Sequence, residues 1–313
     1  MTIHKTKTSI MKFPSTFLLF ILSILSSCNN PSPKPSAAPE PTFTSYWDGF
    51  DFANTLLIDN PGITAPKFAG FCKLLSSMPD GDRNRQIDTL LHRSLVGGGI
   101  NMYQSIMDLA EKYLADPNSP YRDEEAYIRF LEHTVSEPHI TADYKERPRF
   151  QLRLAMKNRV GTLASNFEYV TRSGAAGTLY GIKAPYTLIY FNNPDCHDCK
   201  RVSNYIQHSA IIQRLISSKS LALLAIYPDR QLRSWNAHKD EYPSAWTVAR
   251  YASDKSREAY NLPAIPSLYL LDNRKTVIYK DAPIETIEAY MESHCKSDMK
   301  KMPYSTHITS KIQ

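Results

Sequence analysis

The sequence predicts an α/β domain built on a central mixed sheet with helices, preceded by an all-α domain. Two observations lead there. From Tyr46 to about Arg159 apolar residues recur at helical spacing, whereas after Gly161 they gather into short β-rich runs. In that second stretch the order strand, helix, strand, helix, hairpin, helix is an α/β layout. The 313 residues suit about two domains of about 150 residues each. With 42% hydrophobic and 22% charged residues the chain is not mainly disordered, and 11 Gly with 21 Pro exclude collagen-like and low-complexity architectures. The chain is expected to divide into a signal segment (1–27), a tether (28–42), a helical domain (43–159), the α/β domain (160–295) and a tail (296–313).

The first 28 residues read as an address. Lys5, Lys7 and Lys12 form a positive start, and Phe17–Leu25 is an apolar run too short to span a bilayer. The run closes in Leu25-Ser26-Ser27-Cys28, which resembles the bacterial lipobox. That resemblance implies cleavage before Cys28 and lipidation of its thiol, and so a lipid-anchored protein of the cell envelope outside the cytoplasm. Residues 29–42, rich in Pro and Ser, then form an extended spacer from the membrane surface. The formal net charge is +6; a chain starting at Cys28 has 34 basic against 31 acidic residues, too even a balance for a nucleic-acid partner.

In the helical half, Leu90, Leu91, Ser94 and Leu95 follow a polar run, and Met102, Ile106, Leu109 and Leu114 recur before Asp116-Pro117. Gly97-Gly98-Gly99 separates these two helices; it lacks the Lys-Ser/Thr ending of a phosphate loop and reads as a hinge or turn. Ser119-Pro120 reads as a helix start, with Tyr127, Phe130, Leu131 and Val135 lining one face. A basic helix follows over 144–158. No paired-carboxylate or His-rich cluster stands out, so this half reads as a packing or partner-binding domain.

In the second half, Tyr186–Phe191 and Leu221–Tyr227 are continuous apolar runs, as expected of strands buried on both faces. Asn192–Asp195 turns the chain, Cys196 opens a helix through Val202, Tyr205 and Ile206, and Ile211–Ile216 is a second helical stretch. Ser267–Asp272 and Thr276–Tyr279 form a hairpin, and a helix over Ala282–Glu292 closes the domain.

The chemistry concentrates at Cys196-His197-Asp198-Cys199. The first cysteine sits where free N–H groups and the helix dipole favour a thiolate. The second, one turn on, can attack a mixed disulfide and release the partner. His197 adds positive charge, Asp195 and Asp198 oppose it, and the balance stays open. The spacing also suits a static disulfide or half of a zinc site. A zinc site needs two more ligands, for which His294 and Cys295 are the only suggestive pair. Cys72 reads as a small buried hydrophobe, and a Cys72–Cys295 bridge has no pattern arguing for it.

Residues 160–295 resemble the thioredoxin superfamily, specifically its exported TlpA-like branch. The resemblance rests on the lead-in Gly161–Phe167, the strand Tyr186–Phe191 before the Cys pair, and Leu262-Pro-Ala-Ile-Pro-Ser-Leu-Tyr-Leu-Leu-Asp272. It maps the family's cis-proline onto Pro266, after Ile265, where a residue with no N–H suits the first edge of a strand; Pro263 is expected to be trans. The whole chain is also similar to bacterial lipoproteins that place a helical domain before such a domain, with Trp235 and Trp246 around Tyr242-Pro243 as a characteristic insert. It departs from thioredoxin in having Asp195 for Trp, His197-Asp198 for Gly-Pro and Tyr190 for the buried strand carboxylate. A peroxiredoxin is not indicated, because Asn193 stands where that family has Thr.

The resemblance implies a membrane-tethered, extracytoplasmic thiol–disulfide oxidoreductase with Cys196 as nucleophile, Cys199 as resolving thiol and Pro266 shaping the substrate site. Its partners would be protein dithiols and disulfides and an upstream redox protein, with no cofactor and no metal. The alternative is a binding or assembly lipoprotein with a non-enzymatic scaffold of the same fold.

Overall fold

The computed structural model describes residues 45–295 except Asp59 and Pro61. The signal segment, Cys28, the Pro/Ser-rich tether and the tail 296–313 lie outside the described residues. Among the described residues no helix is long and apolar enough to cross a membrane.

Four helices make the first half: α1 (Thr64–Leu75), α2 (Asp80–Ala110), α3 (Glu124–Ser136) and α4 (Ala142–Ala155). The glycine triplet does break α2. Gly99 takes φ 67° and ψ −167°, open to glycine, while a Cβ on Gly98 would lie 2.4 Å from the Phe52 carbonyl oxygen and 2.4 Å from Met102 Cβ. A single π turn, Glu111–Ala115, continues α2. Fully buried Trp47, Phe68, Phe71, Tyr103 and Phe130 close the helices on one core.

The expectation of a helix start at Ser119-Pro120 is corrected. Ser119 Oγ instead donates to the Tyr113 carbonyl at 2.5 Å and accepts from Tyr121 N–H at 3.1 Å, which folds a turn. The cap of α3 is Asp123, whose carboxylate accepts from Ala126 N–H at 3.0 Å. The basic helix also stops earlier than expected, at Ala155. Asn158 then adopts φ 52°, a left-handed conformation asparagine tolerates.

The second half is one seven-stranded sheet in the order β2-β1-β5-β4-β3-β6-β7. Its strands are β1 (Glu168–Thr171), β2 (Ala176–Thr178), β3 (Tyr186–Phe191), β4 (Leu221–Tyr227), β5 (Thr247–Tyr251), β6 (Ser267–Leu271) and β7 (Val277–Lys280). β3, β4 and β5 run parallel; β6 is antiparallel to β3, β7 to β6, and β1 to both β5 and β2. The sheet is mixed, as expected, and wider: β1, β2 and β5 have no counterpart in the sequence reading. Leu188 and Tyr190 of β3 face one core and Ile189 and Phe191 the other, so the strand is buried on both faces. Helices α5 (His197–His208), α6 (Ala210–Ser217), α7 (Arg233–His238), α8 (Asp254–Arg257) and α9 (Ile284–His294) complete the domain. Cys72 and Cys295 are buried in separate cores, so no bridge joins them.

The two halves are stitched by polar contacts. Lys280, at the end of β7, is nearly buried and donates to Glu124 Oε2 at 2.7 Å and to the Ala155 and Lys157 carbonyls at 2.8 Å each. Arg122 pairs with Asp281 at 2.5 Å. Asn158 donates to the Ala259 carbonyl at 2.9 Å and accepts from Ser165 N–H at 2.7 Å. Burial raises the Glu124 carboxyl above its usual range, against the pull of Lys280.

Replacing Lys280 with Met would leave the half-buried Glu124 carboxylate and two carbonyls without their common donor. A loss of about 2–3 kcal/mol in unfolding free energy is expected from urea titration. A loss below about 0.5 kcal/mol would mean that the joint does not depend on this cation.

Candidate active site

The site is built at the C-terminal end of β3, where the buried strand runs out and its turn must find hydrogen bonds. Asn192 is buried; its N–H donates to the Ile226 carbonyl at 2.9 Å, its amide donates to the Tyr190 carbonyl at 3.0 Å, and its Oδ1 accepts from the Tyr242 hydroxyl at 2.6 Å. Asn193 ties the turn to the segment after β4. Its Oδ1 accepts from Asp195 N–H at 2.8 Å and from the Ser234 hydroxyl at 3.3 Å, and its amide donates to Asp229 Oδ2 at 2.6 Å. Its carbonyl accepts from Cys196 N–H at 3.0 Å.

Cys196 is thereby held as the N-cap of α5, where its sulfur accepts from Cys199 N–H at 3.2 Å. The Ile265–Pro266 peptide is cis, and the Cys196 thiol faces the Ile265 carbonyl at 3.8 Å. Pairing of Ser267 with Phe191 sets this loop beside the end of β3. The structure therefore brings Cys196, Cys199 and Pro266 to one place. No S–S bond joins Cys196 and Cys199 in this structure.

The two sulfurs differ in surroundings. Cys196 is half-buried, whereas Cys199 is 2% exposed. Burial first, and then the hydrogen bond with Cys196, push the Cys199 thiol above its ordinary range. Behind it Tyr190, fully buried, donates its hydroxyl to the Cys199 carbonyl at 2.5 Å. Burial also raises the Tyr190 hydroxyl above its ordinary range. A cleft of about 260 Å³ opens on the Cys199 side, between Lys200 and Ser203 of α5 and Glu241 and Tyr242.

The charged neighbours sit at the rim. His197 has a side chain 96% exposed and lies 3.8 Å from the exposed Asp198, a pair that solvent screens strongly. Asp195 is also exposed and lies 3.9 Å from His238 Nε2. Among the described residues no group of three or more His, Cys, Asp or Glu side chains is arranged to hold a metal ion. Sequence reasoning did not single out Asn192 as part of the site and used Asn193 only to set a peroxiredoxin aside. The Asn-Asn-Pro-Asp string was legible as a turn, but its partners Asp229, Ser234 and Tyr242 are 36 to 50 residues away.

After reduction, one equivalent of iodoacetamide under native conditions is expected to label Cys196, because the other three described cysteines are buried. In a Cys196→Ser variant, labelling of Cys199 is expected to stay slow at neutral pH and to accelerate as pH rises. Faster labelling of Cys199 in the wild-type chain would reverse the assignment of the two thiols.

A family described as a domain of unknown function (DUF5106) matches residues 43–158. The chain is 40% identical to a thioredoxin-like protein from Bacteroides caccae, covering 79% of this chain and 90% of that one with a TM-score of 0.75. It is 41% identical to the C-terminal domain of an uncharacterized protein from Bacteroides fragilis, covering 43% of this chain and 98% of that one at a TM-score of 0.41. A conserved protein of unknown function from Bacteroides fragilis is 33% identical, over 42% of this chain and 98% of that one, with a TM-score of 0.41. No curated protein matches.

Proposed function

The chain belongs to the thioredoxin-like proteins, and on that premise we propose that it is an extracytoplasmic thiol–disulfide oxidoreductase tethered to a membrane through Cys28. One observation carries the redox reading. An accessible sulfur caps a helix N-terminus beside the carbonyl of a cis-proline loop, with a second sulfur buried one turn along.

In the reducing direction the Cys196 thiolate attacks one sulfur of a substrate disulfide. A Cys196–substrate S–S bond forms, the substrate S–S bond breaks, and the second substrate sulfur leaves as a thiolate and takes up a proton. Cys199 then loses its proton and attacks the Cys196 sulfur. The Cys196–Cys199 disulfide forms and the first substrate sulfur leaves, so two electrons have passed to the substrate. An upstream dithiol protein restores the pair by the same exchange, and the reverse sequence oxidises a substrate dithiol. The Ile265 carbonyl lies beside the reacting sulfur, where it can accept a backbone N–H of the bound chain. The Cys199 N–H already donates to the Cys196 sulfur and meets negative charge there.

The test is dithiothreitol-driven reduction of insulin. The wild-type chain is expected to accelerate it, the Cys196→Ser/Cys199→Ser double variant to fall to background, and Cys199→Ser to accumulate a mixed disulfide at Cys196. Equal rates for wild type and double variant would end the redox reading.

The tether rests on Leu25-Ser26-Ser27-Cys28 and the spacer after it. Intact-mass analysis of protein made in a bacterial host is expected to show an N-terminal Cys28 carrying lipid. An unmodified Cys28, or cleavage elsewhere, would remove the anchor from the proposal.

A further inference from the structure

The helical half is fastened to the redox end of the sheet. Lys280 pairs in register with Tyr269 in the middle of β6, a strand that begins directly after Pro266. The contacts of Lys280 with Glu124 and of Lys157 with the Glu258 carbonyl, at 2.7 Å each, flank the segment that leads into the cis-proline loop. Two cavities of about 200 Å³ each lie along this side. One lies within the helical half. The other is walled by that half together with Asn261 and Pro263, two residues just ahead of Ile265. They share Glu111, Tyr127 and Gln151 as walls and so adjoin.

Their lining holds unused polar groups. Tyr127 is 5% exposed and faces both cavities, yet its hydroxyl has no hydrogen-bond partner among the described residues. Among the described residues the Tyr144 hydroxyl has none either; Arg147 is the cation lining this cavity, and it pairs with Glu111 while its charge also favours the exposed Asp108 carboxylate on the rim. Glu111 is engaged by Arg147 at 2.7 Å and by Gln151 at 2.9 Å. Glu111 opens the π turn, an irregularity found often at functional sites. A carboxylate with two tyrosine hydroxyls nearby is a set of acceptors suited to an ammonium or guanidinium group.

We propose that this groove, marked by Asp108, Tyr127 and Tyr144, takes a lysine or arginine side chain of the polypeptide whose cysteine is engaged at Cys196. The helical half then selects substrates by a basic residue set apart from the reacting cysteine. The inference rests on the thiol–disulfide reading for its setting. The bound chain lies along the Ile265 backbone and continues past Pro263 and Asn261 to the groove, in extended form at about 3.3 Å per residue.

The test uses disulfide-linked peptides in which Lys, Glu or Ala is placed two to eight residues from the cysteine, on either side. They are reduced by the full chain and by its Asp108→Asn and Tyr127→Phe variants. Hydroxyethyl disulfide, which has no flanking chain, reports Cys196 alone. At one or more positions Lys is expected to exceed Glu in kcat/KM by about three- to fivefold, the range of a partly exposed ion pair. Asp108→Asn is expected to erase that preference with the hydroxyethyl disulfide rate and the melting temperature unchanged, and Tyr127→Phe to reduce it. No positional preference, or a preference that survives Asp108→Asn, overturns the inference. If the chain reduces neither the peptides nor hydroxyethyl disulfide, the redox reading has failed. Fluorescence anisotropy of a cysteine-free Lys peptide on the full chain then decides the groove: binding lost in Asp108→Asn sustains it, and no binding overturns it.

Discussion

The end of the sheet that carries the cysteine pair depends on one constraint, the burial of β3 on both faces. A strand packed between two cores has no side chain to spare for chemistry, so the reactive groups can only gather where it ends. Its neighbours there are parallel β4 and antiparallel β6. β4 delivers the segment that holds Asn193 and Asn192, and β6 begins at the cis-proline loop. The turn between Phe191 and Cys196 is therefore held from both sides before any substrate arrives. Its side-chain hydrogen bonds satisfy backbone groups at the strand end and in the turn, at Tyr190 and Asp195.

From that turn follows the difference between the thiols. As N-cap, Cys196 is outside the helix proper and half-open to solvent, while Cys199 turns inward onto Tyr190 and the core. The buried position that carries a carboxylate in thioredoxin is here Tyr190, a neutral hydroxyl. Its hydroxyl holds the backbone carbonyl of Cys199. The charged residues of the motif itself, His197 and Asp198, are both exposed, and Asp198 is the smallest of the influences that raise the Cys199 thiol.

The helical half is joined to this end of the sheet, and its joint is polar. Lys280, Arg122 and Asn158 satisfy carbonyls and carboxylates that would otherwise be buried without partners. Directional contacts of this kind specify one geometry, where an apolar seam would tolerate sliding. The cavity beside Asn261 and Pro263 is a consequence of that fixed geometry.

The sequence by itself determined the elements whose signal is local. Continuous apolar runs marked β3 and β4, helical periodicity marked the first half, and the glycine triplet marked the break in α2. The Cys196–Cys199 spacing and Pro266 were legible because a helix start and a strand start are short-range patterns, read together with a family resemblance. Tertiary structure alone decided the rest. β1, β2 and β5 are three to five residues long and carry Glu168, Gly177 and Arg250; only pairing with one another and with β4 makes them strands. Ser119 looked like a cap, but the Tyr113 carbonyl within reach made it a turn, and Asp123 took the cap. Asn193, Tyr242 and Lys280 acquire their places from partners scores of residues away, and no local pattern encodes a contact whose other half is set by the packing of the whole chain.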